Sequence, residues 1–217
     1  MRPRTTSSHA TRSRARRSSN GNGRSLSPEK RAQIIHAGKA AFLAQGFGAA
    51  SVDDIAAGAG VSKMTVYRHF RSKELLFAGV IDALCRQIMD GDLERLLVLP
   101  PKAALPKFAR RFMDITFAKE TIELHRIVVA ECRRFPELGR LFYRSGPEPC
   151  IDMLEQYLRR HRNDVRAGHS TPRRLAEEFL DLVRGYSHLR ALLGVDRAPS
   201  RRDMNSRIAS AVRHVLG

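Results

Sequence analysis

The chain has 217 residues, enough for one large or two small domains, and 42% of them are hydrophobic, which is sufficient for a buried core. No apolar run approaches the about 20 residues that a membrane-spanning helix needs, so we expect no membrane partner. The formal net charge of +17 favours a polyanionic partner, most plausibly nucleic acid, although charge alone also fits a membrane surface.

Residues 1–25 mix Arg, Ser, Thr, Gly and Asn without hydrophobic periodicity and are predicted to form a disordered basic tail. Residues 1–27 hold seven Arg and no acidic residue. Two interpretations stay open: an inert tail, or an arm that adds phosphate or minor-groove contacts to bound DNA.

The three cysteines, Cys85, Cys132 and Cys150, are far apart in the sequence and form no CxxC pair. No apolar core of a secretory signal is present, so reduced thiols in a cytoplasm are predicted. A redox-sensing thiol is the less favoured alternative.

Ser27 followed by Pro28 is typical of a helix start, and the apolar face of this first helix runs to Gly46. Phe47 is expected to close its end. This helix should support the segment that follows it.

The stretch 51–74 reads SVDDIAAGAGVSKMTVYRHFRSKE and predicts two short helices. Ser51 is the expected N-cap of the first, which ends at a glycine-containing turn because tight turns need a backbone that tolerates positive φ. Ser62 is the expected N-cap of the second, and Val66 and Phe70 supply its inward face. The residues left on its outer face are Lys63, Met64, Thr65, Tyr67, Arg68 and His69. Two capped helices, a glycine turn and an outer face rich in hydrogen-bond donors indicate a helix-turn-helix DNA reader.

The segment 28–80 resembles the DNA-binding domain of the TetR-like family of bacterial transcriptional repressors. Residues 60–77, GVSKMTVYRHFRSKELLF, are close to that family's signature, which usually has Gly where Met64 stands. Residues 125–148, HRIVVAECRRFPELGRLFYRSGPE, are similar to the AefR-like branch. The resemblance implies a helix-turn-helix domain over 26–72 and a ligand-binding and dimerisation domain over 73–217.

The resemblance also implies roles for the outer face. Lys63, Met64 and Thr65 match positions that face bases in the major groove, whereas Tyr67 and His69 match phosphate contacts, as does a lysine that follows the second helix. The N-terminus of the first short helix should also lie near a phosphate. The predicted DNA-binding residues are Ser51, Ser62, Lys63, Met64, Thr65, Tyr67, Arg68, His69 and Lys73. Methionine in place of the usual glycine leaves the operator sequence open.

The rest of the chain reads as helices, without strand alternation, and the predicted fold class is all-α. Apolar spacing, prolines and cap residues place these helices at about 73–95, 101–119, 121–134, 137–144, 149–161, 172–193 and from 200 to the end of the chain. The helix 73–95 should join the DNA reader to the larger domain.

The predicted helix 172–193 is apolar on two adjacent faces. Such a helix is expected to be buried from two sides, by its own domain and by a second copy of the chain, although a buried monomer core is the alternative. The predicted homodimer interface comprises Phe179, Leu182, Tyr186, Leu189, Leu193, Ile208 and Val212.

The predicted helix 121–134 places Glu131 among aliphatic residues of its inner face and Arg126 on the opposite, solvent side. A carboxylate in such surroundings needs a partner. Glu131 either bonds an arginine or a helix end inside the fold, or faces a cleft that receives a small effector. The candidate ligand-binding residues are Phe108, Phe112, Thr116, His125, Val128, Glu131 and Phe142.

These patterns predict a sequence-specific transcriptional regulator on the bacterial nucleoid, most simply a repressor released from a palindromic operator by a small apolar or amphipathic effector. A ligand-independent, charge-driven DNA-binding or chromosome-organising protein is the alternative. The eight His residues lack metal-ligand spacing, and GxSxG, P-loop and GxGxxG motifs are missing, so neither a metal, a cofactor nor an enzyme is predicted.

Overall fold

The structure is a computed structural model that describes residues 27–89, 95–165, 171–196 and 198–217. Within those ranges it contains ten α-helices and no β-strand, which confirms the all-α prediction. The helices are α1 (Pro28–Ala49), α2 (Val52–Gly58), α3 (Lys63–His69), α4 (Lys73–Met89), α5 (Pro101–Thr116), α6 (Lys119–Glu131), α7 (Pro136–Ser145), α8 (Pro147–Arg160), α9 (Pro172–Leu192) and α10 (Arg201–Leu216). Among the described helices, none is both long and apolar enough to cross a membrane.

Helix α1 starts at its predicted cap, because the Ser27 side chain accepts a hydrogen bond from the Lys30 backbone N–H at 3.3 Å. Its helical backbone breaks at Gly46, whose φ of +77° favours glycine. The predicted end of the helix face at Gly46 is thus confirmed. The next residue, Phe47, is fully buried and turns the chain toward α2.

The caps of α2 and α3 are also as predicted. The Ser51 hydroxyl accepts from the Asp54 N–H at 3.0 Å, and the Ser62 hydroxyl accepts from the Thr65 N–H at 3.2 Å. The turn between these helices has its positive φ, +64°, at Gly60. Each cap satisfies a backbone donor that the first turn of a helix cannot pair internally.

Two hydrophobic cores organise the described residues. The first joins α1, α2, α3 and α4 with residues of α6 and α7, including Leu124, Val128 and Leu138. The second joins α5, α8, α9 and α10 with Ile122 of α6. Because α6 and α7 supply part of the first core, the DNA reader packs directly on the larger domain as well as through α4.

Several helix boundaries differ from the sequence expectation. Helix α6 ends at Glu131 rather than at residue 134, because residues 132–134 form a turn before Pro136 starts α7. Helix α4 is described to Met89; residues 90–94 of its predicted extent to residue 95 lie outside the described ranges. The predicted tail 1–25 also lies outside them. Helix α9 contains a break at Gly185, φ +51°, which helical periodicity did not predict.

Candidate nucleic-acid interface and effector cavity

Helix α3 exposes four of the six residues of its predicted outer face, Lys63, Met64, Tyr67 and Arg68, whereas Thr65 and His69 are half-buried. Val66 and Phe70 are buried against α1, α2 and α4, which fixes the orientation of the helix. On the opposite side the Met64 side chain is 69% exposed and Tyr67 is 39% exposed. A short helix held by its apolar face and open on its donor-rich face has the form of a major-groove reader.

Lys63, the first residue of α3, pairs with Asp53 of α2 at 2.8 Å. The hydrogen bond and charge of this carboxylate raise the pKa of the Lys63 ammonium. Both side chains are exposed, so the pair contributes little to stability but fixes Lys63 beside the first turn of α2.

His69 ends α3 in a half-buried position. Its Nδ1 is buried without a hydrogen-bond partner among the described residues. Burial and, after it, the charges of Arg31, Arg68 and Lys30 lower the pKa of the imidazole. This shift favours the neutral form of the ring, which can donate a hydrogen bond to an acceptor without carrying charge.

Lys73 does not extend freely from the surface. Its ammonium donates to the carbonyl oxygens of Gly48 at 3.1 Å and Ala50 at 3.0 Å, and it lies 4.7 Å from the ring centre of Phe47. In this structure the side chain holds the segment that precedes α2. A phosphate contact by Lys73 stays a prediction.

A cavity of about 540 Å³ opens between helices α4, α5, α6, α7, α8 and α9. Four of the seven candidate ligand-binding residues line it: Phe112, Thr116, His125 and Phe142. Ile81, Leu84 and Cys85 of α4 line it as well, so the cavity is bounded by the helix that begins next to the DNA reader.

The other three candidates do not line the cavity. Phe108 is 4% exposed and packs beside Phe179 in the second core, with ring centres 6.4 Å apart. Val128 belongs to the first core. The Glu131 carboxylate accepts a hydrogen bond from the Gly48 backbone N–H at 3.0 Å, just beyond the break in α1. This bond agrees with the first interpretation of Glu131, a partner inside the fold, and an effector contact by Glu131 stays a prediction.

Helix α9 brings polar residues to the cavity that the sequence analysis missed: Glu177, Asp181, Arg184 and His188. The ring centres of His125 and His188 lie 5.0 Å apart. Burial lowers the pKa of His188 to about 4, with smaller contributions from His125 and Arg184, and it also lowers the pKa of His125. The recurrence of polar residues every three or four positions along α9 was the pattern that could have identified them.

Two of the cysteines, Cys85 and Cys150, line the same cavity. Burial raises the pKa of Cys85 to about 11 and that of Cys150 to about 12. Because thiolates rather than thiols react with oxidants, these raised pKa values argue against a redox-sensing role for the pair.

The predicted dimer residues divide into three groups. Four of them are exposed and are called the exposed stripe of α9: Leu182 at 40% exposure, Tyr186 at 80%, Leu189 at 48% and Leu193, the residue that follows the helix, at 70%. Phe179 and Ile208 were placed wrongly, because they are 0% and 6% exposed inside their own chain and cannot reach a partner. Val212 is half-buried beside the second core.

Arg126 was also placed wrongly, on the solvent side of α6. Its guanidinium donates to the carbonyl oxygens of Leu192 at 2.8 Å and Ala191 at 2.7 Å. These carbonyls are at the C-terminal end of α9, where helical partners are missing and a cation is favourable. Arg126 therefore joins α6 to α9.

Comparison with known proteins identifies the family. Residues 34–80 match the family model described as bacterial regulatory proteins of the TetR family, and residues 103–217 match the model described as the C-terminal domain of AefR-like transcriptional repressors. A solved structure of the flavonoid-responsive regulator FrrA is 36% identical, with a TM-score of 0.66 over 86% of this chain and 95% of that one. A structure described as a TetR-family transcriptional regulator from Mesorhizobium loti MAFF303099 is 28% identical, with a TM-score of 0.70 over 86% and 96%.

Curated relatives match over shorter segments. The HTH-type transcriptional activator FasR of Mycolicibacterium smegmatis is 38% identical over 63 residues, 29% of each chain. Across the first four curated relatives, the matched segment spans between 29% and 50% of the relative's length. The second family model alone covers more than half of the 217 residues. The chain belongs to the TetR family of bacterial transcriptional regulators.

Proposed function

We propose that this chain is a transcriptional repressor that binds a palindromic operator as a homodimer and releases it when a small amphipathic effector enters the cavity. The observation that carries the proposal is the exposed face of α3, with Met64 and Tyr67 open to solvent above the buried Val66 and Phe70. This arrangement suits direct contact with base edges and phosphates in the major groove.

Dimerisation is proposed from the exposed stripe of α9. A single recognition helix reads too few base pairs to select one site in a genome, so a second copy is needed. Leucine and tyrosine side chains at 40–80% exposure along one helix form a surface that a second copy would bury.

For the effector we propose a planar aromatic molecule with hydroxyl groups. The cavity walls are largely apolar, and His125 and His188 place neutral imidazoles among aromatic rings, with His125 and Phe142 4.8 Å apart between ring centres. The unprotonated nitrogen of a neutral imidazole can accept a hydrogen bond from a phenolic hydroxyl. The name of FrrA, flavonoid-responsive regulator, describes a relative with 36% identity and supports the same chemical class.

Repression rather than activation is proposed from the AefR-like repressor description of the C-terminal model, which outweighs the short match to the activator FasR. The effector would act by favouring one spacing of the two α3 helices over another. Operator binding requires them about 34 Å apart, so an effector that binds better to a different spacing lowers operator affinity.

Fluorescence anisotropy tests the proposal with a duplex selected by the protein from a random pool. We expect binding to the selected duplex at least about tenfold tighter than to random duplex at about 200 mM salt. Adding a flavonoid such as naringenin should weaken binding to the selected duplex, and His188→Phe should reduce this response while leaving the affinity for DNA unchanged.

Lys63→Ala combined with Tyr67→Ala should lower the affinity for the selected duplex by about tenfold or more. Lys102→Ala, which removes an exposed cation from α5, is the matched control. Equal affinities for selected and random duplex would instead favour the charge-driven DNA-binding alternative.

A further inference from the structure

The backbone of Gly48 is held from both sides by charged side chains of other helices. Its N–H donates to Oε1 of Glu131 in α6 at 3.0 Å, and its carbonyl accepts from Nζ of Lys73 in α4 at 3.1 Å. Hydrogen bonds to ionised groups are about twice as strong as neutral ones. Gly48 lies three residues before Ser51, the N-cap of α2.

Both of these helices also line the effector cavity. Helix α6 contributes Leu124 and His125, and α4 contributes Ile81 and Leu84. Glu131 follows His125 by six residues, about 9 Å along the helix axis. Helices α4 and α6 therefore each connect the cavity to the backbone of Gly48.

The surrounding side chains are packed closely enough to transmit a displacement. The Phe47 ring lies 5.7 Å from the Phe77 ring of α4 and 5.1 Å from the Phe135 ring that follows α6, measured between ring centres. Close-packed aromatic groups shift together rather than deform. A movement of α4 or α6 would thus move the segment 46–50 and the start of α2 with it.

We propose that Glu131 is a positioning residue that fixes the segment 46–50 in its DNA-binding arrangement, and that α6 transmits effector occupancy to the DNA reader through this carboxylate. The second half of this statement depends on the proposed function. Helix α4 also connects the cavity to Gly48, through Lys73. Loss of Glu131 is therefore expected to weaken the effector response without abolishing it.

Amide exchange measured by NMR and DNA anisotropy test the contribution of Glu131. In Glu131→Ala the Gly48 amide should exchange at least about tenfold faster, because its acceptor is lost. The ratio of duplex affinities without and with naringenin should fall at least about twofold. Glu131→Gln keeps an oxygen acceptor and should retain most of both properties.

A matched control comes from the same pair of helices. Glu120 of α6 pairs with Lys39 of α1 at 2.7 Å, and the Glu120 side chain is 52% exposed. Glu120→Ala removes an acidic residue and an α1–α6 contact but leaves Gly48 untouched, so Gly48 exchange and the affinity ratio should stay at their wild-type values. If Glu131→Ala changes thermal stability and leaves the ratio unchanged, Glu131 is purely structural and the proposed transmission through α6 is overturned.

A second variant tests the contact from the other side. A Cβ on Gly48 would lie 3.0 Å from the Glu131 carboxylate oxygen, so Gly48→Ala should displace that carboxylate. The same change in a Glu131→Ala background should be harmless, and the double-mutant cycle should show coupling. Additive effects would contradict the contact.

The outcomes separate this proposal from the proposed function. A wild-type protein without a preferred duplex would remove the proposed function, and Gly48 exchange would still decide whether Glu131 fixes the segment. Normal duplex binding and release with an unchanged ratio in Glu131→Ala would remove only the transmission through α6.

Discussion

Lys63 and Asp53 form an ion pair that we expect to limit DNA binding. Lys63 is predicted to face bases, yet in the free protein its ammonium lies 2.8 Å from a carboxylate of α2. A bound duplex would bring phosphates toward this carboxylate as well. Asp53 is therefore expected to oppose DNA binding through repulsion and through competition for Lys63.

Asp53→Asn should raise affinity for both selected and random duplex, by about threefold or more at low salt, because it removes the repulsion and releases Lys63. The slope of log affinity against log salt concentration should become steeper by the equivalent of about one released counterion. Anisotropy titrations at several salt concentrations measure both quantities. Asp54→Asn is the control, since Asp54 is an exposed carboxylate on the same turn without a lysine partner among the residues that the structure describes; equal effects of the two changes would contradict the role of Lys63.

At the scale of the helix, local interactions were predictable and tertiary ones were not. The serine caps of α1, α2, α3 and α10 were visible in the sequence because a cap needs only a hydroxyl and a backbone N–H three residues away. Two apolar faces on α9 were visible too. Which face packs on its own chain depends on neighbouring helices, so Phe179 was placed on the wrong side.

The cavity was predictable only in part for the same reason. Phe112, Thr116, His125 and Phe142 follow apolar faces of α5, α6 and α7, and those faces do converge. Glu131 lies on an inward face as expected, but that face packs against the DNA reader near the end of α6 and lines the cavity only near its start. Helical periodicity indicates that a face is buried but does not indicate which element covers it, and on α6 the covering element changes along the helix.

Helix α9 also buries His188, which makes the stability of the fold depend on pH. The folded-state pKa of about 4 lies below the ordinary value of 6.5, so the unfolded chain binds a proton first as pH falls. The stabilisation is present above pH 6.5 and is lost as pH falls toward 4. The lowered pKa values of His125 and His69 act in the same direction.

His188→Phe should therefore flatten the decrease in the free energy of unfolding between pH 7 and pH 4, by at most about 3 kcal/mol at about 1.4 kcal/mol per pH unit. Urea unfolding at a series of pH values measures this quantity. His36→Phe, which changes an exposed histidine of α1, is the control. An unchanged slope in His188→Phe would show that His188 is solvated in the folded chain.

At the scale of the whole molecule, the DNA reader and the exposed stripe of α9 belong to different parts of the fold. The reader packs in the first core, and α9 packs in the second core while its Leu182, Tyr186, Leu189 and Leu193 remain exposed. Two copies joined through α9 would carry two readers whose separation depends on how each reader is held by α4 and α6. Operator affinity should thus depend on residues that never touch DNA.

Leu189→Arg tests this dependence, because it places a charge in the middle of the exposed stripe. Burying an unpaired guanidinium in an apolar interface is costly, so the variant should be monomeric at micromolar concentration in size-exclusion chromatography with light scattering. Its affinity for the selected duplex should fall at least about tenfold, since each reader then binds alone. Val98→Arg is the control, because Val98 is 78% exposed but lies outside α9. A dimeric Leu189→Arg protein with wild-type affinity would mean that the two readers are joined through another surface.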